Sequence, residues 1–196
     1  MTTSTRSMQK MSQSSLSIWI VSGITILALL LGWALKSSVE TQSRSIERAG
    51  VKAQVPASWV VQNGLASEQM VFTARDPFGV DLSYTASLVP SPADIQLADL
   101  AFAFNLQRGK DAPLYRMLDQ GAVKVMGKDA YRVHYAFVDP KDKGTLPVVV
   151  EGVEYIFLMQ PKALLVGMEE ESSQFENALP PFMRFLGTVT YTPGGN

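Results

Sequence analysis

The feature that most constrains this chain is its longest uncharged run. From Leu16 to Leu35 the sequence reads LSIWIVSGITILALLLGWAL, and no charged residue stands between Lys10 and Lys36. As a helix this segment is roughly 30 Å long, the thickness of a bilayer's hydrocarbon core. In that core no water reaches the backbone, so a spanning segment satisfies its own N–H and C=O groups as a helix. Leu16, Ile20, Leu29, Leu30 and Leu35 supply the apolar surface. Trp19 and Trp33 lie near the two ends, where amphipathic rings prefer to sit. A signal peptide has a shorter apolar region and a small-x-small cleavage site. Here the run continues into Leu35-Lys36-Ser37-Ser38, which favours an uncleaved anchor. The leading tail carries Arg6 and Lys10 with no acid, so the expected orientation is tail inside and C-terminal domain outside the cytoplasm.

The anchor divides the chain. Residues 1–15, rich in Ser, Thr and Gln, read as a disordered tail. Residues 36–49 read as a stalk: Glu40 and Arg44 form an i,i+4 pair, Val39 and Ile46 share a helical face, and Gly50 is a stop signal. Residues 50–192 suit one domain. They carry a mild excess of acid, which argues against nucleic acid as a partner, since that interaction requires a basic surface. The absence of cysteine excludes disulfides, thiolate metal sites and Cys nucleophiles.

Within the domain, Val51–Val55 alternates up to Pro56 and reads as a strand. Gln69–Ala74 is a second, and Val80–Val89 a third, with Tyr84, Ala86 and Leu88 on one face and a wet face opposite. Ser91-Pro92-Ala93-Asp94 has the signature of a helix start, predicting a helix from Pro92 to Arg108 that Gly109 ends. Leu114–Val125 and Ala130–Val138 read as strands about a Met126–Asp129 turn, the second presenting Tyr131, Val133, Tyr135 and Phe137 on one face. Val148–Met159, apolar on both faces after Glu154, and Ala163–Met168, apolar on both sides, read as strands, the first of them central. Ser173–Glu176 matches a capping box before a helical repeat of Phe175, Ala178, Leu179, Phe182 and Leu186. Pro180-Pro181 should kink or break that helix. A short strand, Thr188–Tyr191, closes the domain. Without sustained βαβ alternation, the class is α+β, a mostly antiparallel sheet with helices packed on it.

Three stretches resemble the PsbP-like family, the α/β/α sandwich of the extrinsic photosystem II subunit and its bacterial relatives: Val55-Pro56-Ala57-Ser58-Trp59, the hairpin Val125–Arg132, and the helix Phe175–Leu186 with its following edge strand. The resemblance covers about Val51 to Tyr191. Gly187-Thr188-Val189 departs from the Ser-Phe that often follows the family's last helix. The resemblance implies a non-enzymatic accessory, assembly or stability factor of a membrane complex, in an anchored bacterial form. No position matches a family metal site.

The chemical candidates are few. His134 is the single histidine, placed opposite the aromatic face of its strand with no nucleophile motif to serve. Glu169-Glu170-Glu171 and the loop acids Asp139 and Asp142 are weak cation candidates, because consecutive carboxylates do not converge. Gly127-Lys128 lacks the glycine loop of a phosphate site. The expectation is no catalytic residue, no cofactor and no metal.

Two functions remain open. One is an anchored accessory subunit or assembly factor that binds a membrane protein complex and the lipid bilayer. The other is a tethered extracytoplasmic module for a small ligand. The Pro92–Arg108 helix bears on the first. Leu97, Ala101, Phe104 and Arg108 form one line, and Ile95, Ala98, Phe102 and Leu106 another. A helix on a sheet buries one such stripe, so Ile95, Phe102 and Leu106 are the partner-binding candidates, unless the loop around Pro113 folds back over them.

Overall fold

The computed structural model describes residues 18–33, 42–63, 69–77, 82–140 and 146–193, in two compact units divided after Gln42. In the first unit, residues 18–33 form helix α1, about 24 Å long at the α-helical rise. Trp19, Ile20, Leu29, Leu30 and Trp33 are all exposed on it. Leu16 and Leu35 lie outside the described residues, and among those described no helix is long and apolar enough to cross a membrane. Asp142 and the tail before Ile18 also lie outside them.

The second unit is α+β. A seven-stranded sheet runs in the order β3 (Val60–Asn63), β4 (Met70–Arg75), β5 (Ser83–Pro90), β9 (Lys162–Glu171), β8 (Val148–Met159), β7 (Lys128–Asp139), β6 (Arg116–Val125), with every pairing antiparallel. Helix α2 (Leu97–Asp111) covers one face. The other is covered by α3 (Phe175–Leu186) and by a small sheet in the order β1 (Ser43–Arg48), β2 (Val51–Pro56), β10 (Thr190–Tyr191). Strand alternation divides the core accordingly. Val153, Tyr155, Phe157, Leu164, Val166 and Met168 join β2 and α3 in the larger cluster. Val133, Tyr135, Ile156, Ala163 and Leu165 join α2 in the smaller one.

Several elements differ from the sequence expectation. The stalk is not helical at its end: residues 43–48 are strand β1, paired with β2 through a turn in which Ala49 (φ 48°) and Gly50 (φ 79°) both have positive φ. That is the backbone of a tight hairpin, not of a helix stop. A Cβ on Gly50 would strike the Thr192 carbonyl, so the close return of the chain end requires glycine there. Arg44 donates to the Trp59 carbonyl, a contact across the hairpin instead of along a helix. Strand β5 has no fully wet face, Thr85 and Ser87 being half-buried. Ser83 is buried, and Val89 belongs to the smaller core while Tyr84, Ala86 and Leu88 belong to the larger, because β5 is an interior strand covered on both sides.

Both helices also depart from expectation. Helix α2 begins at Leu97, with Gln96 and not Ser91 at its N-cap, and passes through Gly109 to Asp111. Helix α3 runs unbroken through Pro180-Pro181, and Gln174 caps it without the reciprocal side-chain bonds of a capping box. Two missing N–H donors are outweighed there by the buried stripe of Phe175, Ala178, Phe182, Phe185 and Leu186.

Candidate functional site

Helix α2 has a polar cluster on its inner side and exposed apolar side chains on its outer side. The 3.6-residue period turns Leu97, Ala101, Phe104 and Arg108 inward. Ala101 is buried, and Leu97 and Phe104 pack on the smaller core. The stripe ends in a charge. Arg108 Nη2 donates to Glu154 Oε1 at 2.9 Å, and the guanidinium carbon lies 4.2 Å from the centroid of the Tyr135 ring. Burial works against the positive charge of Arg108. The Glu154 carboxylate overcomes it, assisted by Tyr135 and Glu169, and holds the Arg108 pKa above its ordinary value.

Tyr135 links this pair to the next strands. Its hydroxyl donates to Glu169 Oε1 at 2.8 Å, its ring lies 5.6 Å from that of Tyr115, and Tyr115 donates to Asn105 on α2. Burial, then the neighbouring Glu169 charge, pushes the Tyr135 phenol well above its usual range. Gly152 lies beneath this ring. A Cβ there would meet the ring atoms of Tyr135, so the glycine makes room for the aromatic. Glu154 Oε2 and Arg108 Nη1 are buried without a hydrogen-bond partner. The pair therefore fixes α2 on the sheet through a single strong contact and leaves polar capacity unused. The cluster ties helix α2 to strands β7, β8 and β9 of the sheet and to Tyr115, which precedes β6.

The opposite side of α2 is apolar and uncovered. Phe102 is 66% exposed and Leu106 55%, with Ala98 exposed beside them and Met117 of the edge strand β6, 43% exposed, next to Asn105. The Pro113 segment does not cover this stripe, since it is tied instead to β7 by the Val138 N–H donating to the Pro113 carbonyl. Ile95 does not belong to this surface. It lies before α2, is half-buried, and packs against the smaller core, so it does not share the exposed surface with Phe102 and Leu106.

On the other face, His134 Nε2 lies 3.0 Å from Glu151 Oε2, and its ring stacks on Phe175 of α3 at 4.9 Å. Ser172 donates to Glu151 Oε1. The carboxylate thus sits between serine and imidazole, and no imidazole nitrogen is directed at the hydroxyl. A serine nucleophile needs the reverse order, with the base in the middle. Glu169, Glu170 and Glu171 alternate across β9: Glu169 faces α2, Glu170 is buried, and Glu171 accepts from Ser173. Among the described residues no three His, Asp or Glu side chains gather as a metal site.

The sequence reading missed the Arg108–Glu154–Tyr135 cluster. Its signal was a glutamate, the second of two in β8, that interrupts the strand's apolar run, and an arginine closing an apolar helical stripe, forty-six residues apart.

No family model matches the chain, and no curated protein matches it in sequence. Solved structures do match in shape. The cyanobacterial PsbP protein CyanoP from Synechocystis sp. PCC 6803 aligns over 77% of this chain and 92% of its own, at 14% identity and a TM-score of 0.58. The Ran-binding protein Mog1p of Saccharomyces cerevisiae aligns over 78% and 96%, at 12% identity and a TM-score of 0.52. LpqN of Mycobacterium tuberculosis, involved in cell envelope biogenesis, aligns over 78% and 91%, at 15% identity and a TM-score of 0.50. The chain has the PsbP/Mog1-like fold. At these identities the likeness extends to the fold alone.

Proposed function

We propose that this chain is a membrane-anchored, non-enzymatic accessory subunit or assembly factor of a membrane protein complex, with its PsbP/Mog1-like domain outside the cytoplasm. The observation that carries the reading is the uncovered stripe of Phe102 and Leu106 on a domain that follows the uncharged Leu16–Leu35 run. Phe102 and Leu106 lie one helical turn apart, and adjoining exposed apolar side chains of this kind mark an interaction surface. Tethering raises the effective concentration of that surface toward a partner in the same bilayer, so a modest patch suffices. The polar cluster beneath α2 supports the same reading, because a rigidly seated helix presents its outer stripe without an ordering cost.

Two measurements test it. Protease added to intact spheroplasts should release the domain from the membrane; protection of the domain would reverse the topology. Mild-detergent purification of the full chain should recover a stoichiometric membrane partner, and the double substitution Phe102→Ser/Leu106→Ser should lose that partner while the protein stays folded. Retention of the partner by the folded variant would move the interface elsewhere.

A further inference from the structure

A pocket of about 100 Å³ opens at the end of the sandwich where the β6–β7 turn, the C-terminus of α3 and β10 meet. Its interior reaches core residues Phe157, Leu164 and Leu186, all nearly inaccessible to solvent. Lys128 is the one charged residue in its lining, and the nearby ion pair joins Lys124 to Asp129 without using it. The rim is unusual. Met126 (φ 49°) and Gly127 (φ 78°) form a two-residue turn with both φ values positive. Such turns favour Asn, Asp or Gly at the first position, because a Cβ in the left-handed region meets its own backbone. Met126 stands there instead and is 76% exposed. Its methyl group leans over the end of α3, 3.3 Å from where a Cβ on Gly187 would lie. A flexible thioether at the mouth of an apolar pocket is suited to closing over a guest of variable shape.

We propose that this pocket binds a small aliphatic carboxylic acid, with the hydrocarbon tail inside, Met126 as an adjustable rim, and the carboxylate paired with Lys128. Size sets the tail. An engineered cavity of about 150 Å³ accepts the six carbons of benzene, so 100 Å³ accepts about four. This is well below the roughly 300 Å³ at which pockets for larger ligands begin. Apart from Lys128, Thr190 and Tyr191 the side chains of the lining are apolar, so a polar guest without a tail gains little from entering. The site lies on the α3 side of the sheet and does not depend on the α2 surface.

The test uses the full chain in lipid nanodiscs, labelled at methionine methyl groups, with isovalerate as the probe and acetate and the neutral isovaleramide as comparisons. The Met126 and Met159 resonances should shift saturably with isovalerate and not with acetate. Lys128→Gln should weaken isovalerate binding about fivefold, the upper range for an exposed ion pair, and leave isovaleramide unchanged. Leu164→Phe should fill the pocket and abolish the shifts. Met126→Asn relaxes the turn and so keeps the fold, and it should weaken the isovalerate response read at Met159. Absence of a saturable shift in the folded parent chain, equal responses to acetate, or isovalerate affinity unaffected by both Lys128→Gln and Met126→Asn would each overturn the proposal.

Discussion

The two helices that cover the central sheet are held by different physics. Helix α3 is amphipathic in the ordinary sense, with five buried side chains, three of them phenylalanines, packed on Phe72, Tyr84 and Tyr155. Helix α2 buries only Leu100 and Ala101 completely, leaves Phe102 and Leu106 in solvent, and relies on the Arg108–Glu154 pair to fix its C-terminal half. One face of the sheet therefore carries the larger hydrophobic core, and the other a smaller core to which a charge pair and aromatic contact add in seating the helix. The difference teaches where to expect tolerance. Loss of volume under α3 creates a cavity, whereas loss of the outer stripe of α2 removes surface that packs on nothing in the domain.

The largest effect should come from the α3 side. Phe182 is fully buried and its ring lies 5.3 Å from that of Tyr84 and 6.0 Å from that of Phe185. Phe182→Ala should cost about 4 kcal/mol, the usual range for a buried aromatic truncated to alanine. In a domain of this size that lowers Tm by roughly 10 °C, measurable by circular dichroism or calorimetry. A loss below about 1 kcal/mol would mean that α3 is no better packed than α2.

The α2 side should respond next, and differently. Glu154→Leu strands Arg108 near the Tyr135 ring and should cost about 3 kcal/mol, since breaking a buried pair leaves one charge uncompensated. Replacing both partners, Arg108→Met with Glu154→Leu, should recover most of that loss, because the charge to be desolvated is gone. Urea denaturation of the four proteins of this double-mutant cycle measures the coupling directly. Additive losses would show that the pair does not hold α2, and the contrast between the two helices would collapse to one of size.

Alkaline pH should weaken both faces. Burial raises the phenol of Tyr84 on the α3 side and of Tyr135 on the α2 side above the ordinary tyrosine value. A group with a raised folded pKa gives its full contribution below the unfolded pKa and loses it as pH rises toward the folded value. Stability should thus be flat to about pH 10, the unfolded tyrosine pKa, and fall above it. Tyr84→Phe should flatten that fall, read as the dependence of the urea midpoint on pH between about 9 and 11. An unchanged slope in that variant would assign the alkaline loss to other groups.

The same contrast explains what could be read from the sequence. The repeat of Phe175, Ala178, Phe182 and Leu186 identifies the inward face of α3, because hydrophobic burial there follows the helical period. The aromatic face of β7 and the central places of β8 and β9 follow from alternation and from two-sided apolarity for the same reason. Residues 43–48 were not legible as a strand. Their partner β2 and the turn at Ala49-Gly50 decide their state, and a local i,i+4 pairing of Glu40 with Arg44 competes for the same letters. Two prolines suggested a break in α3 that tertiary packing overrides. The α2 site was half legible. Periodicity placed Phe102 and Leu106 on a second stripe, but the Arg108–Glu154 contact joins elements across two intervening strands, β6 and β7, and no local pattern encodes it. Ile95 was assigned to that stripe by extending the helix through Pro92, whereas the chain turns before Leu97 and carries Ile95 into the core.

The smallest effect should come from the outer stripe of α2. Phe102→Ser/Leu106→Ser removes two large side chains, and on the α3 side a pair of such changes would unfold the domain. Here both residues are more than half exposed, so little burial is lost and no cavity forms. What remains is the lower helix propensity of serine, about 0.5 kcal/mol at each position. The two changes together should lower stability by about 1 kcal/mol, or roughly 3 °C in Tm, with the Arg108–Glu154 coupling intact because Arg108 lies on the opposite line of the helix. A loss several times larger would place Phe102 and Leu106 in the folding core and remove the physical ground for treating them as a surface reserved for a partner. A small loss, measured beside the large one at Phe182, would establish that the domain keeps one helix for its own stability and presents the outer stripe of the other to its surroundings.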